Sequence, residues 1–150
     1  MEVVGAGASI ISIIGLALQC TKSLYQIISS YQNAPQQFDS LASAIKHLER
    51  ILTQLQGCKA LSDPSVDYHN ITELIKTCTA DLRRYENTLQ KLQPDRKTPK
   101  AKQIWKRCTA TWGEKSVNQI WIEVNQHCTA LGVQLQLLQR YVMVPRRIFI

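Results

Sequence analysis

Between Glu2 and Lys22 the chain carries no charge. The run Val3 to Thr21, VVGAGASIISIIGLALQCT, crowds Ile10, Ile11, Ile13, Ile14, Leu16 and Leu18 into its middle. On a helix turning about 100° per residue, these apolar side chains cover more than half the circumference. The remaining strip is Gly5, Ala8, Ser12, Gly15 and Gln19, spaced by threes and fours. A small-residue stripe of that kind lets another backbone approach closely, in water or in lipid. Leu24, Ile27, Ile28 and Tyr31 then continue an amphipathic pattern, which predicts one helix over Val3 to Tyr31.

Three fates compete for such a run. A secretory signal needs a basic start and a small-residue cleavage site, whereas this run opens on Glu2 and lacks an A-x-A triplet after its apolar part. A membrane span needs about 20 apolar residues, and here Ser9, Ser12, Gln19 and several Gly and Ala dilute the run. The remaining fate is the buried first helix of a bundle. A helix packed at rest can still enter a membrane later.

The rest of the chain supports a bundle. Asn33-Ala34-Pro35 forms a turn, and Phe38, Leu41, Ile45, Leu48, Leu52 and Leu55 then mark a second helix ending near Gly57. Asp63-Pro64 looks like a cap and first-turn proline for a third helix carrying Ile71, Leu74, Cys78, Leu82, Tyr85, Leu89 and Leu92. Glu73, Lys76, Asp81, Arg83, Arg84 and Glu86 fall off that line, on an expected solvent face. After Pro94, a shorter basic helix over about Lys100 to Trp112 would turn Ile104, Trp105 and Cys108 inward, with Gly113 interrupting it. The last helix shows Val117, Trp121, Val124, Cys128, Leu131, Leu135, Leu138 and Val142 at alternating steps of four and three, the seam of a left-handed bundle. Pro145 is expected to end it. The expectation is an all-α fold, an up-down four- to five-helix bundle with a hydrophobic first helix. Residues 1–142 form the domain and residues 143–150 a short basic-hydrophobic tail.

Charge is local. The chain has a formal net charge of +7, yet positive and negative groups cancel from Met1 to Gln93. From Pro94 to Lys115 there are seven Lys or Arg against two acids. Such a patch can meet phosphates or anionic lipid, or simply solvate a connection.

The pattern shows no catalytic chemistry. There is no Cys-x-x-Cys or His-x-x-x-His pair, and His47, His69 and His127 lie far apart. His127 and Cys128 are neighbours, but adjacent helical residues point about 100° apart, which makes them a poor ligand set. The five Cys occur singly, four of them on predicted helices, consistent with buried inert thiols in a reducing compartment. Gly5 and Gly7 precede no strand–turn–helix unit and make no phosphate loop. The expectation is no enzyme, cofactor, metal or small-molecule substrate.

The opening Gly/Ala/Ser-rich helix running into Ser23-Leu24-Tyr25 and Asn33-Ala34-Pro35 resembles fungal HeLo-like amino-terminal domains. Leu41-Ala42-Ser43 with Leu48, Ile51, Leu52 and Leu55 fits them too. So do Ile104-Trp105-Lys106 and the long final helix from Ala130-Leu131 through Leu137-Leu138. The resemblance covers about residues 1 to 142. It implies a helical bundle of the kind found at the front of fungal STAND (NOD-like receptor) and heterokaryon incompatibility proteins. Some members of that family act in programmed cell death through a first helix that disrupts membranes.

The expected function is therefore a non-enzymatic signalling or interaction domain, cytoplasmic and peripheral at the plasma membrane, with a homotypic or partner helical domain as its protein partner. In its membrane form, Val3, Val4, Ile10, Ile11, Ile13, Ile14 and Leu18 would enter the bilayer. Lys97, Lys100, Lys102, Lys106 and Arg107 would meet anionic headgroups, each worth about 1 kcal/mol near such a surface. The alternative is a nucleic-acid-associated regulator using the basic segment 96–115, with Trp105, Trp112 and Trp121 as stacking platforms. The helical spacing of those tryptophans suits core anchors better.

Overall fold

The computed structural model describes residues 6–30, 36–62, 67–92 and 113–148. Four long helices account for nearly all of them: α1 (Ala6–Ser29), α2 (Gln36–Gln56), α3 (His69–Leu92) and α4 (Gly113–Ile148). A 3-10 turn, Lys59–Ser62, follows α2. No strand occurs among the described residues, and the fold is an all-α bundle of four packed helices. The predicted short helix over Lys100 to Trp112 lies outside the described residues.

Pairwise contacts give the arrangement. Helix α1 packs on α2 and α3, and α4 packs on the same two. Consequently α1 and α4 occupy opposite corners, as do α2 and α3. Gly15 faces Gln56 while Tyr25 meets Lys46, so α1 and α2 run antiparallel. Cys128 reaches Ala44 and Gly132 faces Ile51, so α2 and α4 run parallel. The pairs Asp81–His127 and Tyr85–Glu123 set α3 antiparallel to α4. The chain thus alternates up and down, but two of the four neighbouring pairs, α1–α3 and α2–α4, are parallel. The reason is the connection from Gly57 to Tyr68, which is long enough to carry α3 to the corner diagonal to α2. Its 3-10 turn buries Ala60 and Leu61 and touches both α1 and α4.

The core follows the sequence periodicity closely. Phe38, Leu41, Ile45, Leu48, Leu52 and Leu55 are all buried, and α2 stops where predicted, with the Gly57 amide donating to Thr53. On α3, Ile75 is fully buried beside Ile71, Cys78, Leu82 and Tyr85, whereas Leu74 is only half-buried. Helix α3 begins at His69, whose amide donates to the Asp67 carboxylate at 3.0 Å; Asp63-Pro64 lies outside the described residues. Tyr68 anchors this start by donating its hydroxyl to Ala60 O at 2.8 Å. The few buried polar side chains are satisfied locally: Thr21 donates to Ala17 O at 2.7 Å, and Thr79 to Ile75 O at 2.8 Å.

Helix α4 departs from expectation in three places. It begins at Gly113 itself. Near that end Ile120 is buried while Trp121 is 41% exposed, so Trp121 is not a core anchor. Stepping back from Val124, residues 120 and 121 straddle the edge of the buried arc, and only Ile120 falls inside it. At the other end α4 runs through Pro145 to Ile148. A proline so close to a terminus forfeits one ladder bond with little helix beyond it, so the helix continues past it.

Candidate functional site

The first helix is the candidate site. Its 24 residues rise about 36 Å, enough to cross a hydrocarbon core of about 30 Å. Residues Ile10–Ser29 have the length and mean hydropathy, 1.3, of a membrane span, yet 44% of that window is buried inside the bundle. The core helix of a soluble protein meets the same criterion, so position rather than composition carries the argument.

The seven apolar candidates do not share one surface. Ile10, Ile14 and Leu18 point into the core at 1%, 0% and 8% exposure. Ile13 is half-buried against the core, and Ile11 faces solvent at 42%. Leu16, which the sequence grouping omitted, is also exposed, at 38%. Val3 and Val4 lie outside the described residues, as do Lys97, Lys100, Lys102, Lys106 and Arg107.

From residue 11 to residue 19 the solvent side of α1 consists of Ile11, Ser12, Leu16 and Gln19, with Gly15 half-buried among them. None is charged. The first charge on this side is Lys22. Three members of the small-residue stripe, Ser12, Gly15 and Gln19, thus lie on the solvent strip and not in a helix–helix seam. Among the described residues, a Cβ at Gly15 would meet only the Gln56 amide, at 3.9 Å.

What holds α1 in place is mainly apolar. Ile10, Ile14, Leu18, Leu24, Ile27 and Ile28 are buried, and covering each is worth about 1.5–3 kcal/mol. Withdrawing all six into water would cost roughly 9–18 kcal/mol, comparable with the whole stability of an ordinary domain. Two polar ties add to this hold. Ser23 donates to the Glu86 carboxylate on α3, and the Lys46 ammonium on α2 sits 4.8 Å from the Tyr25 ring centre. Release of α1 therefore needs an acceptor for its apolar face.

A second polar cluster ties α3 to α4, and periodicity had assigned two of its α3 members, Asp81 and Arg84, to solvent. Arg84 reaches Asp81 at 3.1 Å and Glu123 at 3.3 Å, and the His127 ring Nε2 lies 2.9 Å from Asp81. Tyr85 donates to Glu123. Burial and then this bond push the Tyr85 hydroxyl pKa up, while the same bond, ahead of a weaker one from Gln119, holds the Glu123 carboxyl below its usual range. The sequence signal was there: Asp81 and Arg84 at i,i+3 and Glu123 and His127 at i,i+4 each share a helix face. Which helix they would meet was not visible.

Burial pushes the thiol of Cys78 up to about 12 and that of Cys128 up to about 11, so both stay protonated at neutral pH and are weak nucleophiles. Among the described residues no group of three or more His, Cys, Asp or Glu is arranged to hold a metal ion.

Residues 1–114 match the family described as Pigment biosynthesis cluster protein PigL N-terminal. No curated protein and no solved structure matches the chain. The family match takes in α1, α2, α3 and the first two residues of α4, so the helix that closes the bundle lies almost wholly beyond it. With 114 of its 150 residues matched and a long apolar helix leading a four-helix bundle, the chain belongs to the PigL N-terminal family of HeLo-like helical domains.

Proposed function

We propose that this domain is a non-enzymatic signalling or interaction module of the cytoplasm that acts peripherally at the plasma membrane, and that its effector is α1. In this reading α1 leaves the bundle and enters an anionic bilayer, and membrane disruption of that kind would induce cell death. The observation that carries the reading is the solvent strip of α1, uncharged as far as Lys22, on a helix long enough to span. The exposed side of α3 instead carries Glu73, Lys76, Arg83 and Arg84. A charge on the outer side of α1 would have to be dragged into hydrocarbon, and none occurs there before Lys22, whose long side chain can reach back to the interface.

The bilayer also answers the energetic problem of release. Side chains that lose the core regain an apolar environment in lipid, so most of the roughly 9–18 kcal/mol is recovered there and not in water. The resting bundle is then stable in solution and opens only where a membrane or a partner helix receives α1.

Dye release from vesicles tests the reading. The intact chain is expected to permeabilise vesicles containing anionic phospholipid and to leave neutral phosphatidylcholine vesicles sealed. If it binds and opens neither kind, the membrane role fails and a protein-interaction role remains.

A further inference from the structure

A groove of about 590 Å³ opens between the second half of α1 and the first half of α2. Along α2 its wall is Asp39, Ser43, Lys46 and Arg50, at steps of four, three and four, so these groups form one stripe. Tyr25 and Ser29 face them from α1. The apolar floor, Ile28 and Phe38, is almost fully covered, so what the groove offers a ligand is chiefly polar.

The charges are sorted along the stripe. Lys46 and Arg50 stand one helical turn apart at one end. Lys46 is held there by Glu49 at 3.1 Å and by the Tyr25 ring. Neither Arg50 nor Asp39 has a hydrogen-bond or ion-pair partner among the described residues. Asp39 lies seven residues before Lys46, about 10 Å along the axis, with the Ser43 hydroxyl between them. Guanidinium and ammonium groups suit a phosphate, which Arg can grip through two parallel N–H donors. A carboxylate at the far end repels a second phosphate and accepts hydrogen bonds from hydroxyls.

We infer that this groove binds a phosphorylated polyol of the sugar-phosphate class. The phosphate lies between Lys46 and Arg50, and ring hydroxyls meet Ser43 and Asp39. The inference stands apart from the membrane reading, because it needs α1 docked and would hold even if α1 never left. It has a consequence for that reading, since α1 supplies Tyr25 and Ser29 and occupancy favours the closed bundle.

Calorimetric titration of the intact chain with glucose 6-phosphate, inorganic phosphate and glucose tests it. Glucose 6-phosphate is expected to bind at least about tenfold more tightly than either fragment, and Lys46→Ala and Arg50→Ala each to weaken it about tenfold. Both positions are exposed, so the fold tolerates the changes. Asp39→Ala, which removes the acceptor for the hydroxyls, is expected to reduce the preference over inorganic phosphate. Phosphatidylinositol vesicles separate the possible sources: co-sedimentation competed by glucose 6-phosphate assigns a lipid headgroup, and soluble binding without co-sedimentation assigns a free sugar phosphate. The inference is overturned if none of the three soluble probes binds at millimolar concentration. It is equally overturned if phosphate and glucose 6-phosphate bind alike, or if the two cation variants bind as the wild type does.

Discussion

Leu16→Asp separates a membrane-active α1 from an ordinary core helix. Leu16 lies near the middle of α1 and is 38% exposed. In the folded bundle the change forfeits the covered part of one leucine, about 1–2 kcal/mol, plus a few tenths for the weaker helix propensity of Asp. The domain stays folded. Inserted in a bilayer, the same position would sit near the helix centre, where exchanging Leu for Asp costs about 3–4 kcal/mol. That corresponds to a loss of roughly 150- to 900-fold in the inserted population. Val133→Asp is the matched control: Val133 is 48% exposed on α4, so its loss in the folded state is similar while α1 is untouched. Urea denaturation should report a small, similar loss of stability for both variants. Vesicle leakage should collapse for Leu16→Asp alone. Equal leakage by both variants, or an equal decline in step with stability, would refute the reasoning and return α1 to a purely structural role.

Two further outcomes follow from the seams of the bundle. Tyr85→Phe removes the hydroxyl that does most to hold the Glu123 carboxyl below its ordinary range. A carboxyl with a lowered folded-state pKa stabilises the fold above its unfolded value of about 4.3 and loses that contribution as pH falls through the folded value. The Tm of Tyr85→Phe should thus lie below wild type at neutral pH, with the gap closing under acid; a gap independent of pH would show that Glu123 is not the group involved. Gly132→Ala should stabilise the domain by up to about 1 kcal/mol, because the new methyl would lie 4.0 Å from Ile51 in ordinary contact and alanine favours a helix interior. A lower urea midpoint would mean that the α2–α4 seam has no room for it.

Much of the bundle was legible because a single amphipathic helix declares its own buried face. Phe38 through Leu55 on α2 and Val124 through Leu138 on α4 are buried as their spacing predicts. Legibility failed where a residue lay at the edge of an arc, as with Ile120 and Trp121, or where two polar faces met. Asp81, Tyr85, Glu123 and His127 form one cluster only because α3 runs antiparallel to α4. The α1–α2 groove failed for the same reason: its α2 stripe can be read from spacing, but the Tyr25 and Ser29 wall needs the neighbouring helix.

For the first helix the division is sharper. Sequence alone determined that it is helical, long and free of charge as far as Lys22, because those properties belong to the residues themselves. It also determined that α1 would be buried somewhere, since so much apolar surface is costly in water. Only the tertiary structure decided which residues face the core. The corner between α2 and α3 takes Ile10, Ile14 and Leu18 inward and leaves Ile11 and Leu16 outside. Periodicity could not make that choice, because apolar side chains surround most of α1, and the partners it packs against come from distant parts of the chain.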